Sequence, residues 1–162
     1  MIKYDGLVIY RDVFSKVIFE FEGTKTYYMS SSYNKFIIIE ASYFDKQWKK
    51  TDFDIQKALA TIDDKHKDEK YTQAESGFLQ GKENPVPVVD IQIKMEDEIN
   101  IIPTLNNGLT RTNYLLANNV KYLVFGIDSD ISLKNTDFYF LLKNSDIKWY
   151  ISIFYYCKIW WR

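Results

Sequence analysis

The sequence predicts an α+β fold, a mixed β-sheet with a few short helices, in one domain spanning residues 1–162. Three observations carry that expectation. Aromatic residues make up 17% of the chain, which favours strands. Short β-rich runs fill the first third and return after Pro85. Between them lie polar stretches with helical spacing, so strands, helices, paired strands, a helix and further strands follow one another.

Leu7 to Tyr10 and Val17 to Phe21 read as strands. Glu22-Gly23-Thr24-Lys25 reads as a turn, after which Tyr27 to Met29 can pair back. Phe36 to Ala41 is an apolar run that suits a strand covered on both faces. Asp52 is placed to cap a helix from Phe53 to Ile62. The charged run Asp63 to Lys70 then reads as a flexible, solvated loop. A helix is expected over Lys70 to Leu79, because Tyr71, Ala74 and Phe78 share a face and Gly81 sits at the C-cap.

Asn84-Pro85-Val86-Pro87 reads as extended, since a residue before proline avoids the helical region. Val89, Ile91, Ile93 and Met95 alternate with Asp90, Gln92 and Lys94, the pattern of a half-buried strand. Glu96-Asp97-Glu98 turns the chain, and Ile99 to Leu105 returns. Asn106-Asn107-Gly108 is a tight turn opening a short helix from Thr110 to Asn118. Asn118 and Asn119 stop that helix. Val120 to Ile127, Phe138 to Leu142 and Trp149 to Tyr156 read as strands.

Composition excludes several functional classes. Lys plus Arg number 21 and Asp plus Glu 22, so no global charge draws the chain to DNA or anionic lipid. The one cysteine, Cys157, forms no internal disulfide and fits a reducing, cytoplasmic setting. No signal peptide and no apolar run of membrane-spanning length is visible, so no membrane insertion is expected. A single His66 in a charged run leaves no His/Cys metal site and no Ser-His-Asp or Cys-His triad in prospect.

The segment Gly108-Leu109-Thr110-Arg111-Thr112 is the chemically pointed one. A helix N-terminus offers unpaired N–H groups and a positive dipole end. Gly108 lets a ligand approach the backbone, Thr110 and Thr112 bring hydroxyls, and Arg111 can grip a phosphate with paired N–H donors. The same residues also fit a plain helix start with a surface arginine.

Asn107 to Leu116, followed by the strand to Ile127, resembles the strand–Gly-x-x-Arg–helix–strand box of the ParB/sulfiredoxin superfamily. Val86 to Ile91 resembles the strand that precedes that box. Ala74-Glu75-Ser76-Gly77-Phe78, Gly81 to Val88, Gly108 to Thr112 and Leu115-Leu116-Ala117-Asn118 together resemble the plasmid fertility inhibition factor family. The resemblance covers Ala74 to Ile127. Sulfiredoxins carry cysteine and histidine between the glycine and the arginine. Leu109 and Thr110 stand there instead, which excludes sulfiredoxin chemistry. ParB boxes end in two arginines, and Thr110 replaces the first.

The resemblance implies a cytoplasmic protein that blocks conjugative transfer of another plasmid through a type IV secretion system. Its partner would be a component of that secretion or coupling apparatus. Gly108, Thr110, Arg111 and Thr112 would bind a phosphate, of ATP or another nucleotide or of DNA. A metal-dependent nuclease or nucleotide hydrolase is the alternative, with Arg111 on the phosphate and Asp90 or Asp128 holding Mg²⁺. No catalytic residue is singled out by the sequence. A third reading is a non-enzymatic interaction module that uses its aromatic tail, chiefly Trp160 and Trp161. We expect Trp160→Ala and Trp161→Ala to fold normally and to weaken partner binding, each by about 2 kcal/mol. Thermal melts and mating assays check this, and ready unfolding of both variants would place the tail in the core.

Overall fold

The computed structural model describes residues 1–4, 7–12, 16–21, 27–30, 35–51, 58, 60–127, 133, 136 and 139–143. Two five-stranded sheets share one hydrophobic cluster. The first sheet begins as an antiparallel meander of β1 (Ile2–Tyr4), β2 (Leu7–Arg11), β3 (Val17–Phe21) and β4 (Tyr27–Ser30). The short strand β6 (Val86–Pro87) completes it, parallel to β4. Leu7 and Ile9 pair across with Phe21 and Phe19, and all four are buried, as period-two alternation requires.

The second sheet has the order β10-β5-β9-β7-β8. Its strands are β5 (Lys35–Glu40), β7 (Val89–Met95), β8 (Ile101–Leu105), β9 (Tyr122–Ile127) and β10 (Tyr139–Lys143). Phe36 to Ile39 are fully buried, in agreement with the expectation of a strand covered on both faces. Phe19 meets Phe36 edge to face at 5.0 Å, which joins the two sheets. The alternation along β7 is clean at Val89 and Ile91 and fades toward the hairpin, where Met95 is 39% exposed. That hairpin is closed by the Asp97 carboxylate, which accepts from the N–H groups of Ile99 and Asn100.

Two elements correct the sequence reading. Ala41 does not end a strand but starts helix α1 (Ala41–Trp48). Phe44 and Trp48 lie one turn apart on its buried face, and Phe44 stacks on Phe125 at 5.0 Å. Glu40 gives α1 no side-chain cap. The first amide donates instead to the Lys121 carbonyl at the entry to β9, at 2.9 Å.

The expected Phe53–Ile62 helix and its Asp52 cap lie mostly outside the described residues; Ala58 is helical, but Ala60 and Thr61 are not. Ile62 starts a new helix, α2 (Ile62–His66), inside the run expected to be a loop. Its start is a capping box. The Asp64 N–H donates to the Thr61 hydroxyl at 3.2 Å, and the Thr61 N–H returns to the Asp64 carboxylate at 3.4 Å.

The charged run is also less solvated than expected, since Lys65 is only 3% exposed. Its ammonium donates to the Ala60 carbonyl at 2.6 Å and lies 3.5 Å from the Asp45 carboxylate. Helix α3 (Tyr71–Leu79) forms as expected, with Ala74 and Phe78 inward and Gly81 left-handed beyond its end at φ 64°. The Glu22–Lys25 turn, Asp128, Cys157 and the Trp149–Tyr156 strand lie outside the described residues. No helix among the described residues is long and apolar enough to cross a membrane.

Burial pushes the Lys65 pKa below the ordinary lysine value of 10.5, against the pull of Asp45. The unfolded chain therefore holds this proton to higher pH than the folded one, and stability rises as pH climbs through the depressed value toward 10.5. Wild type should gain stability relative to Lys65→Met over that window, measured as urea midpoints at several pH values. A pH-independent difference between the two would contradict the burial of this charge.

Candidate functional site

The site forms where one extended segment passes between the two sheets. Val86 and Pro87 pair with Tyr28 and Met29 in the first sheet. Val88 is buried at the crossing, and Val89 and Asp90 pair with Phe125 and Gly126 in the second. Prolines at 85 and 87 restrict this segment to extended geometry, and Val86, Val88 and Val89 are buried along it.

Strand β8 runs antiparallel to β7 and ends at Leu105, opposite Ile91. The Asn106 N–H still donates to the Asp90 carbonyl at 3.1 Å. The chain then turns away, and the Asn107 side-chain carbonyl accepts the Asp90 N–H at 3.3 Å. A side chain thus stands in for the next rung of the antiparallel ladder. The Asn106 amide also donates to the Asp90 carboxylate at 3.2 Å, so Asp90 faces this turn.

Gly108 follows in the left-handed region, at φ 71° and ψ 22°. A Cβ there would overlap the Val89 side chain and lie 3.0 Å from the Arg111 guanidinium. The missing side chain lets the protein's own parts close on one another, a different reason for glycine from the ligand approach expected of it. Helix α4 (Leu109–Ala117) starts here, and Gly108 supplies no side-chain cap to its first turn.

The four predicted residues separate by position. Thr112 is 1% exposed, and both its N–H and its hydroxyl donate to the Gly108 carbonyl, at 2.9 and 3.1 Å. Its donors serve the first turn of its own helix. Gly108 and Thr110 are half-exposed at the opening of the helix. Arg111 is half-buried, and its guanidinium donates to the Pro87 carbonyl and, at 3.4 Å, to the Asn107 side chain. The arginine therefore clasps the crossing segment to the turn. Trp160 and Trp161 lie outside the described residues.

Further along α4, Tyr114 stacks on Phe78 at 5.0 Å and lies 5.2 Å from Tyr71. Burial raises the Tyr114 pKa above its ordinary value. Gly77 sits where an added Cβ would touch a Val86 methyl at 3.6 Å. The separate sequence segments around Gly77-Phe78, Val86-Pro87 and Gly108–Thr112 are thus neighbours in space. Sequence reasoning missed Asn107 and the Pro87 carbonyl. Only the four-residue spacing from Asn107 to Arg111 hinted at either. Among the described residues, no group of three or more His, Cys, Asp or Glu is gathered to hold a metal ion.

The arrangement is an α+β protein in which a Gly-x-x-Arg turn secures the segment joining two sheets. Residues 36–125, more than half the chain, match the family model of the plasmid fertility inhibition factors, and the chain belongs to that family. The fold is similar to a solved structure titled Oncogenic Suppression Activity Protein, a plasmid fertility inhibition factor, in a gold(I) cyanide derivative. The two share 19% identity and a TM-score of 0.66, over 80% of this chain and 71% of that one. The likeness at that identity concerns the fold. No curated protein matches the chain in sequence.

Gly108→Ala should cost about 2 kcal/mol or more, through the left-handed backbone and the overlap with Val89. Arg111→Ala should cost about 1 kcal/mol, because a charged donor leaves a backbone carbonyl. Urea denaturation of both variants checks the order, and a neutral Gly108→Ala would contradict the geometry of the turn.

Proposed function

We propose that this chain lowers the conjugative transfer of a co-resident plasmid by acting on a component of a type IV secretion or coupling apparatus. We further propose that a phosphate, of a nucleotide such as ATP or of DNA, binds at the Gly108–Arg111 turn. Membership of the fertility inhibition family is the observation that carries the first part. The second is supported by the placement of Arg111 beside the uncapped first turn of α4. A positive dipole end and a guanidinium together favour an oxyanion.

The test is a mating assay with several plasmid types in the donor, comparing wild type with Arg111→Lys and Arg111→Ala. A charge-assisted contact is worth about 1.5–3 kcal/mol, so its loss weakens binding by roughly ten- to a hundredfold. Inhibition should fall in the order wild type, lysine, alanine, because lysine keeps the charge and loses the paired donors. Melting curves confirm that each variant is folded at the mating temperature. Equal inhibition by folded variants would detach the turn from the mechanism, and no inhibition of any plasmid would remove the functional reading.

A further inference from the structure

Among the described residues, β7 pairs with β9 at two positions only, Val89 with Phe125 and Asp90 with Gly126. From Ile91 to Leu105 the chain is a two-stranded ribbon paired with itself. A lone hairpin is marginal in water, so this one depends on what holds it from outside. Its residues Ile91, Ile101 and Leu105 are buried, and two phenols hold its tip. The Tyr43 hydroxyl of α1 accepts the Ile101 N–H at 3.1 Å and donates to the Asn100 side-chain carbonyl at 3.3 Å. The Tyr139 hydroxyl of β10 donates to the Ile99 carbonyl at 2.9 Å.

Strands β8 and β10 are the opposite outer strands of the second sheet. In a flat sheet of that order they would stand four spacings of about 4.8 Å apart, beyond the reach of one side chain. The ribbon therefore curls back toward β10 and is fastened there. The fastening leaves one group unsatisfied. The Asn100 amide donates to the Asp97 carboxylate at 2.8 Å, so its carbonyl faces the Gln47 amide, which donates to it at 3.5 Å. The Gln47 carbonyl then points the other way, buried and, among the described residues, without a hydrogen-bond partner. A buried unpaired acceptor disfavours the closed arrangement, and opening returns it to water.

We infer that the β7–β8 ribbon is a strap, rooted at the contact of Asp90 with Asn106 and Asn107 and latched at its tip by Tyr43 and Tyr139, which opens and closes as one unit. The two phenols favour closure, and Gln47 favours opening. Asn106 and Asn107 bond to Asp90 at the root, so a movement of the strap reaches the Gly-x-x-Arg turn directly.

Amide hydrogen exchange at Ile101 reads the latch. Tyr139→Phe removes a bond to the Ile99 carbonyl and leaves the Tyr43 partner of Ile101 in place. The strap nevertheless requires exchange at Ile101 to quicken about fivefold, the worth of one hydrogen bond. Gln47→Met should slow it, because an apolar side chain removes the unpaired acceptor. Amides of β3 report global stability and should be unchanged in both variants. Exchange at Ile101 that Tyr139→Phe leaves unaltered, or alters only in step with β3, would overturn the strap, as would faster exchange in Gln47→Met.

Discussion

The structure turns on one constraint: a single extended segment must leave one sheet and enter another while its backbone groups keep hydrogen-bond partners. Val86 and Pro87 belong to the first sheet, and Val89 and Asp90 to the second. Backbone N–H and C=O groups are strong hydrogen-bonding groups, and a strand that changes sheets loses its regular ladder at the crossing. The Pro87 carbonyl takes the Arg111 guanidinium, and the Asp90 N–H takes the Asn107 side chain. The Gly-x-x-Arg turn therefore completes the hydrogen bonding of the segment beneath it.

These bonds explain the spacing of the turn's residues. Gly108 must be left-handed and bare, so that α4 can start directly above Val89. Arg111 lies in the first turn of the helix, from which it reaches back to Asn107 and Pro87. Thr112 is turned inward and secures the Gly108 carbonyl. The stacking of Tyr114 on Phe78 then holds α4 against α3. Arg111 is thus tied to the first sheet through Pro87 and to the turn after β8 through Asn107.

Much of the fold was legible in the chain because its signals are local. The alternation in β7, the apolar run of β5, the prolines at 85 and 87 and the Asn-Asn-Gly turn each act over a few residues. Helix α1 was not legible, because its first amide is satisfied by the Lys121 carbonyl across the sheet rather than by a neighbouring side chain. Helix α2 did carry a local signal, the Thr61-to-Asp64 capping box, but the surrounding charges masked it. Lys65 shows why a charge run is an incomplete guide: one lysine in a run of eight polar residues can turn inward when a carbonyl and a carboxylate await it. At the site, Gly108 and Arg111 stood out by residue type. The Pro87 carbonyl could not, because it is 24 residues from Arg111 and every backbone has one.

The central claim is that the Gly-x-x-Arg turn and the crossing segment form one mechanical unit. Amide hydrogen exchange in wild type and Arg111→Ala measures this most directly, since local opening is read residue by residue. The account predicts faster exchange at Val88, Val89 and Asp90 and at the start of α4 in the variant, with β2 and β3 unchanged. Exchange at the crossing segment that is the same in both proteins would contradict it.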